Sequence, residues 1–267
     1  MANSGFRRFR LVSVGCIGAA ILVQHSTPAR AEHFAAADVV TDARLYFTAP
    51  LRWDGSDWLH AAEVAAAVVA AHEADNSVHR HFAPAGTSLG IQDKNSTKDA
   101  LPAAAIVLVT WGFSVLTDDP AGHIEAYTML EAAAFSAVTT EVTKYVAGRR
   151  RPTETDRVDD WRHGGNAFPS MHATAAFAIG TVLAESGNDD YRWFRRTLGY
   201  GIAAYTGYKR LHDNQHWLSD TVAGAAIGIS TARFTLNRRE ARASDLEVSV
   251  GPTGDGGVSL RFSKWLN

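Results

Sequence analysis

Phe168-Pro169-Ser170-Met171-His172 runs directly into Ala173 to Ala184, an uncharged stretch that is apolar on nearly every helical face. A helix without a polar side belongs at the centre of a packed body, so this stretch predicts a helical fold with its own segment near the middle. Ser170 follows a proline and precedes that helix, which makes it the expected N-cap. The N–H groups of Met171, His172 and Ala173 then leave the helix start unpaired and aimed outward. Such an end attracts anions.

Two further pieces carry compatible chemistry. Downstream, Arg210 is followed by His216 and Asp220, and a histidine and a carboxylate four residues apart share one helical face. The carboxylate can hold one ring nitrogen and leave the other for a substrate. Upstream, Lys144 and Arg151 are two helical turns apart, and Pro152 places Arg151 at the exit of its helix. Arginine offers phosphate a planar fork and lysine a compact charge. Taken singly, each of these residues has an ordinary structural use: a cap, a surface pair, a solvated cation. Arg149 and Arg150 are expected to be solvated.

Around these pieces the chain reads as helices. Leu59 to Glu73 is rich in alanine and valine, and Pro84 to Pro102 reads as a loop. Leu101 to Thr117 is uncharged and is stopped by Asp118-Asp119-Pro120. Its length lies at the lower edge of a membrane span. Ala126 to Tyr145 delivers Lys144 near its end, while Thr197 to Tyr208 and Thr221 to Ala232 are further short apolar segments suited to a soluble bundle. Gly224 and Gly228 predict close backbone packing. Residues 32–58 read as an arm laid over the body, and 237–245 as a charged linker. Leu246 to Val250 and Val258 to Phe262 alternate around a glycine-rich turn and predict a small C-terminal β-hairpin packed on the same domain.

Composition narrows the classes. The chain has 267 residues, 46% hydrophobic and 20% charged, which suits one globular domain. Arg7, Arg8, Arg10 and Arg30 fall in the first 31 residues, which contain no acid, and the rest of the chain is net acidic. A nucleic-acid partner is therefore not indicated. The arginines, the apolar run Leu11 to Val23 and Ala29-Arg30-Ala31 predict a signal peptide over residues 1–31 and a periplasmic or secreted protein. Cys16, the single cysteine, would leave with it, so the mature chain would have neither disulfide nor thiol nucleophile.

Lys144-(six residues)-Arg151-Pro152, then Pro169-Ser170-Met171-His172, then Arg210-(five residues)-His216-(three residues)-Asp220, resembles the three-part signature of the type 2 phosphatidic acid phosphatase superfamily. That superfamily includes exported acid phosphatases, lipid phosphatases and vanadium haloperoxidases. The resemblance implies an all-α helical bundle and a metal-independent phosphatase without a cofactor. It implies His216 as nucleophile, Asp220 as its partner and His172 as acid and base. It also implies Lys144, Arg151, Ser170, Met171 and Arg210 around the phosphate. Two positions depart from the pattern, since the family usually has glycine at Met171 and serine at Lys209. Substrates left open are small phosphate esters, phosphatidic acid and polyprenyl pyrophosphate, with peripheral membrane contact through Leu101 to Thr117.

A vanadium-dependent haloperoxidase and a non-catalytic phosphate- or lipid-binding module are the alternatives. The remaining histidines, His79 and His81 included, are read as structural or exposed, with His163 and His212 as candidates for the pocket wall.

Overall fold

The computed structural model describes residues 36–82, 96–187, 189–243, 247–252 and 258–263. The expected signal sequence and most of the expected 84–102 loop fall outside the described residues.

Seven helices carry the body: α1 (Ala36–Phe47), α2 (Gly55–Phe82), α3 (Leu101–Thr117), α4 (Pro120–Ala147), α5 (Met171–Glu185), α6 (Arg192–His212) and α7 (Leu218–Ala243). The all-helical expectation therefore holds for the body. Two short strands, β1 (Glu247–Pro252) and β2 (Val258–Ser263), pair antiparallel with each other.

Helix α5 is the hub and packs against α3, α4, α6 and α7. Its alanines make this possible: Ala176 and Ala178 join Met129 and Ala132 of α4, Ala203 of α6 and Ala232 of α7 in one buried cluster. Small side chains let the axes approach closely, and two glycines of α7 complete the fit. A Cβ on Gly224 would lie 2.6 Å from the Ser170 carbonyl oxygen, and one on Gly228 would lie 2.4 Å from that of Thr174. The Gly224 and Gly228 spacing thus serves backbone packing, as its short run implies.

Punctuation in the sequence explains the turns. Asp118 takes a left-handed conformation (φ 50°) that ends α3, and the side chain of Asp119 accepts from the Ala121 N–H to start α4. Helix α4 stops at Gly148 (φ 53°), whose N–H donates to the Lys144 carbonyl. A left-handed residue costs glycine little.

Three expectations need correction. The arm over residues 32–58 contains helix α1, because Asp42 is buried and receives Arg238 at 2.9 Å and Arg242 at 2.5 Å from α7. The same two arginines show that residues 237–243 are not a linker. They extend α7 along α1, and uncharged runs alone underestimate helices whose last turns are charged. Helix α2 likewise runs on to Phe82, past the polar residues at which the apolar pattern ends.

Helix α3 is apolar all round, yet only Ala103, Ile106, Val107 and Ser114 are buried. Leu108, Val109, Phe113 and Leu116 face outward, Leu116 with 86% of its surface exposed. Among the described residues, Lys98–Thr117 is long and apolar enough to cross a membrane by length and composition.

Candidate active site

The candidate site is built from helix ends. The last turn of α4 supplies Lys144, the segment after it Arg151, the first turn of α5 Met171 and His172, and the segment before α7 His216. All five line one open cavity of about 340 Å³ together with Glu141, Tyr145, Gly165 and Asn166. Ser170, Arg210 and Asp220 do not line it. They are wholly buried.

Backbone contacts hold the pieces in register. The Ser170 N–H donates to the Asp220 carbonyl at 2.9 Å, which ties the start of α5 to that of α7. Ser170 occupies the N-cap position, but its hydroxyl makes no capping bond and has no partner although buried. An unmade hydrogen bond in the interior is costly. A ligand oxygen at the helix start would satisfy it.

The cations are fixed before any ligand arrives. Lys144 Nζ donates to the Asn166 carbonyl, and Arg151 reaches the Asn166 side chain at 2.8 Å and Gln215 at 3.0 Å. Arg210 donates through Nη1 to Asp99 at 2.5 Å, whereas its Nε and Nη2 are buried without partners. Burial pushes Lys144 down to about 8, and the neighbouring Arg151 adds to the effect. Arg151 is lowered by burial and by Arg210. Three cations crowded into a partly dry site form a preset anion trap.

His216 is buried, and its Nδ1 lies 3.5 Å from Asp220 without a formed hydrogen bond. Burial, and then the charges of Arg151, Lys144, Arg210 and His172, hold it well below the usual histidine range. The ring is therefore neutral, with a lone pair available. Asp220 is raised to about 6 by burial, against the opposing pull of Arg149.

Arg149 is a residue that sequence reasoning missed. Expected to be solvated, it is wholly buried and donates to Asp220 at 2.7 Å and to Ser219 at 2.8 Å. Its guanidinium carbon lies 4.4 Å from the centre of the Trp161 ring and 5.2 Å from that of Trp217. Nothing in a run of three arginines distinguishes the first of them. The signal lay in Gly148, which breaks α4 immediately before it and turns it inward. Arg150 is half exposed, 3.8 Å from Asp160.

Met171 stands at the cavity wall and supplies a first-turn N–H as a glycine would. Lys209 does not line the cavity, because its ammonium is bound to Asp213 at 2.5 Å. His163 pairs with Asp160 and His212 with Asp213, so neither reaches the cavity.

A model of the PAP2 superfamily matches residues 125–243. Lipid A 1-phosphatase from Porphyromonas gingivalis is 37% identical over 86 residues, which cover 32% of this chain and 17% of that relative. The match thus takes in less than a fifth of the relative's length. The crystal structure of LpxE from Aquifex aeolicus is 18% identical and covers 61% of this chain and 94% of that one at a TM-score of 0.39, a likeness too low to carry an argument. All eight candidate residues lie inside the matched stretch, residues 125–243, over which the chain is similar to the PAP2 superfamily.

Proposed function

We propose that this protein is a metal-independent phosphatase that cleaves phosphate from a lipid phosphate monoester through a phosphohistidine. The observation that carries the reading is the convergence of Lys144, Arg151 and Arg210 on a buried His216 whose Nδ1 lies 3.5 Å from Asp220. A binding module needs the cations. It does not need a nucleophile with its own carboxylate.

Nδ1 of His216 faces Asp220, so Nε2 is the nitrogen left for phosphorus. As the N–P bond forms and the P–O ester bond breaks, the imidazole becomes cationic and Asp220 stabilises it. Lys144 and Arg151, with the first N–H groups of α5, hold equatorial oxygens, and the unpartnered Ser170 hydroxyl and Arg210 Nε and Nη2, buried behind the cavity, are the donors left for the rest. His172 gives its proton to the departing ester oxygen and then takes one from the water that hydrolyses the phosphohistidine.

The lipid part of the reading rests on the lipid A 1-phosphatase relative and on the uncovered side of α3. Helix α4 packs against α3 and leaves Val138, Val142 and Tyr145 exposed at its own surface, and Tyr145 also lines the cavity. Apolar side chains beside a cation-rich mouth suit a protein resting on a membrane with a phosphate headgroup drawn inward. Export by a cleaved signal, and a stable C-terminal hairpin laid on the helices, belong to the same proposal.

Hydrolysis of p-nitrophenyl phosphate in buffer with a chelator is the test. His216→Ala should lose at least about 1,000-fold in kcat. Activity retained in that variant sinks the assignment. A panel of soluble monoesters, phosphatidic acid, polyprenyl pyrophosphate and lipid A then ranks substrates, and peroxide-dependent halide oxidation after vanadate loading, without esterase activity, would make it a haloperoxidase.

A further inference from the structure

Arg149 has a second acidic partner. Asp75, on α2 and outside the stretch matched to the superfamily, is wholly buried and accepts Arg149 Nη2 at 2.7 Å. It also receives both donors of Ser219, the N–H at 2.8 Å and the hydroxyl at 2.6 Å. Ser219 lies in the first turn of α7, beside Asp220. A carboxylate from α2 therefore caps the helix start that carries the partner of His216.

The line continues outward. His72, one turn before Asp75, holds Nδ1 3.0 Å from that carboxylate and Nε2 2.8 Å from Asp159 near the surface. Asp159, His72, Asp75, Arg149 and Asp220 thus form one hydrogen-bonded series from the surface, which ends 3.5 Å from Nδ1 of His216.

Stability alone is a poor reason for this arrangement. Desolvating an ion pair costs as much as the pair returns, and packed apolar side chains commonly do as well. The arrangement has a use if Arg149 must not neutralise Asp220 completely. With one arm of its guanidinium on Asp75, Arg149 orients Asp220 while leaving it enough charge to stabilise a developing imidazolium.

We infer that Asp75 is a positioning residue which, through Arg149 and Ser219, sets the orientation and available charge of Asp220 and thereby of His216. The inference rests on the phosphohistidine reading proposed above. It assigns Asp75 no contact with substrate. Binding of a phosphate dianion in the ground state should therefore be nearly indifferent to it, while the transition state should not.

The full chain and its Asp75→Asn and Ser219→Ala variants are compared for kcat and KM on p-nitrophenyl phosphate, for inhibition by inorganic phosphate and by vanadate, and for melting temperature. Asp75→Asn keeps an oxygen for the Ser219 N–H and removes the charge. Its kcat should fall on the order of 100-fold, with KM and phosphate inhibition within about twofold. Vanadate, which resembles the transition state, should bind about tenfold more weakly. Ser219→Ala should show the same split at smaller size, and it decides the matter if Asp75→Asn does not fold. Unchanged kcat, or a loss matched by equal weakening of phosphate binding, overturns the inference. An inactive wild type would instead overturn the phosphatase reading itself.

Discussion

Asp99 Oδ2 lies 2.5 Å from Nη1 of Arg210, so a carboxylate occupies one arm of a cation proposed above to hold phosphate. Asp99 belongs to a 3-10 turn, Ser96–Ala100, that leads directly into α3. It competes with any incoming anion. Asp99→Asn should lower KM for p-nitrophenyl phosphate several-fold, because an amide oxygen holds a guanidinium less strongly than a charge does. An unchanged or raised KM would show that Asp99 helps to orient Arg210 instead.

The alkaline limb of activity should belong to Lys144. Its folded value near 8 means that the ammonium is present below that pH and is lost as pH rises through it. In kcat/KM, which reports the free enzyme, the rate should fall above about pH 8. Lys144→Arg keeps a charge that does not titrate in this range, so the limb should move to higher pH even if the maximum is lower. A limb that stays in place assigns it to another group.

His172 and His216 should fail differently. With a good leaving group such as p-nitrophenolate, protonation matters little, so His172→Ala should still release a burst near one equivalent and then stall on hydrolysis of the phosphoenzyme. With an alkyl phosphate it should lose about 100-fold or more even in the first step. His216→Ala should show no burst with either substrate in rapid-mixing experiments.

Helix α3 should bind lipid surfaces. Leu116→Ser, at a site exposed in the bundle, should weaken partition onto phospholipid vesicles about tenfold, which corresponds to roughly 1.4 kcal/mol of lost apolar burial, and leave hydrolysis of soluble esters intact. Co-sedimentation with vesicles measures it. Equal partition of both forms would remove α3 from the lipid reading.

Packing and chemistry can be separated at α7. Gly224→Ala and Gly228→Ala each drive a methyl group into α5 and should cost about 1–3 kcal/mol in chemical denaturation. Only Gly224 abuts Ser170. Its variant should therefore lose more kcat than the Gly228 variant at equal stability.

Much of this was readable from the chain because certain residues admit few substitutes in their jobs. Leu101 and Thr117 bound α3 in sequence and structure alike, since Asp118-Asp119-Pro120 cannot continue a helix. Lys144, Arg151, Met171, His172 and His216 meet at one cavity as their spacing implied, because each lies at a helix end whose position the apolar runs reveal. Asp75 and Asp99 were not readable. Their partners lie 144 and 111 residues away, and a single aspartate carries no mark of which distant helix it will meet. Helix α1 was missed for the same reason, since the arginines that hold Asp42 lie at the far end of the described helices.

Arg149, Arg150 and Arg151 have the same side chain and three destinations: the interior beneath Asp220, the solvent, and the cavity beside His216. What distinguishes them is their count from Gly148. Composition and net charge would survive the exchange of any one arginine for its neighbour, but a shift of the segment by a single position would move a buried anchor into water and a solvated cation into the cavity. The loop works as a ruler, and the glycine is its zero mark.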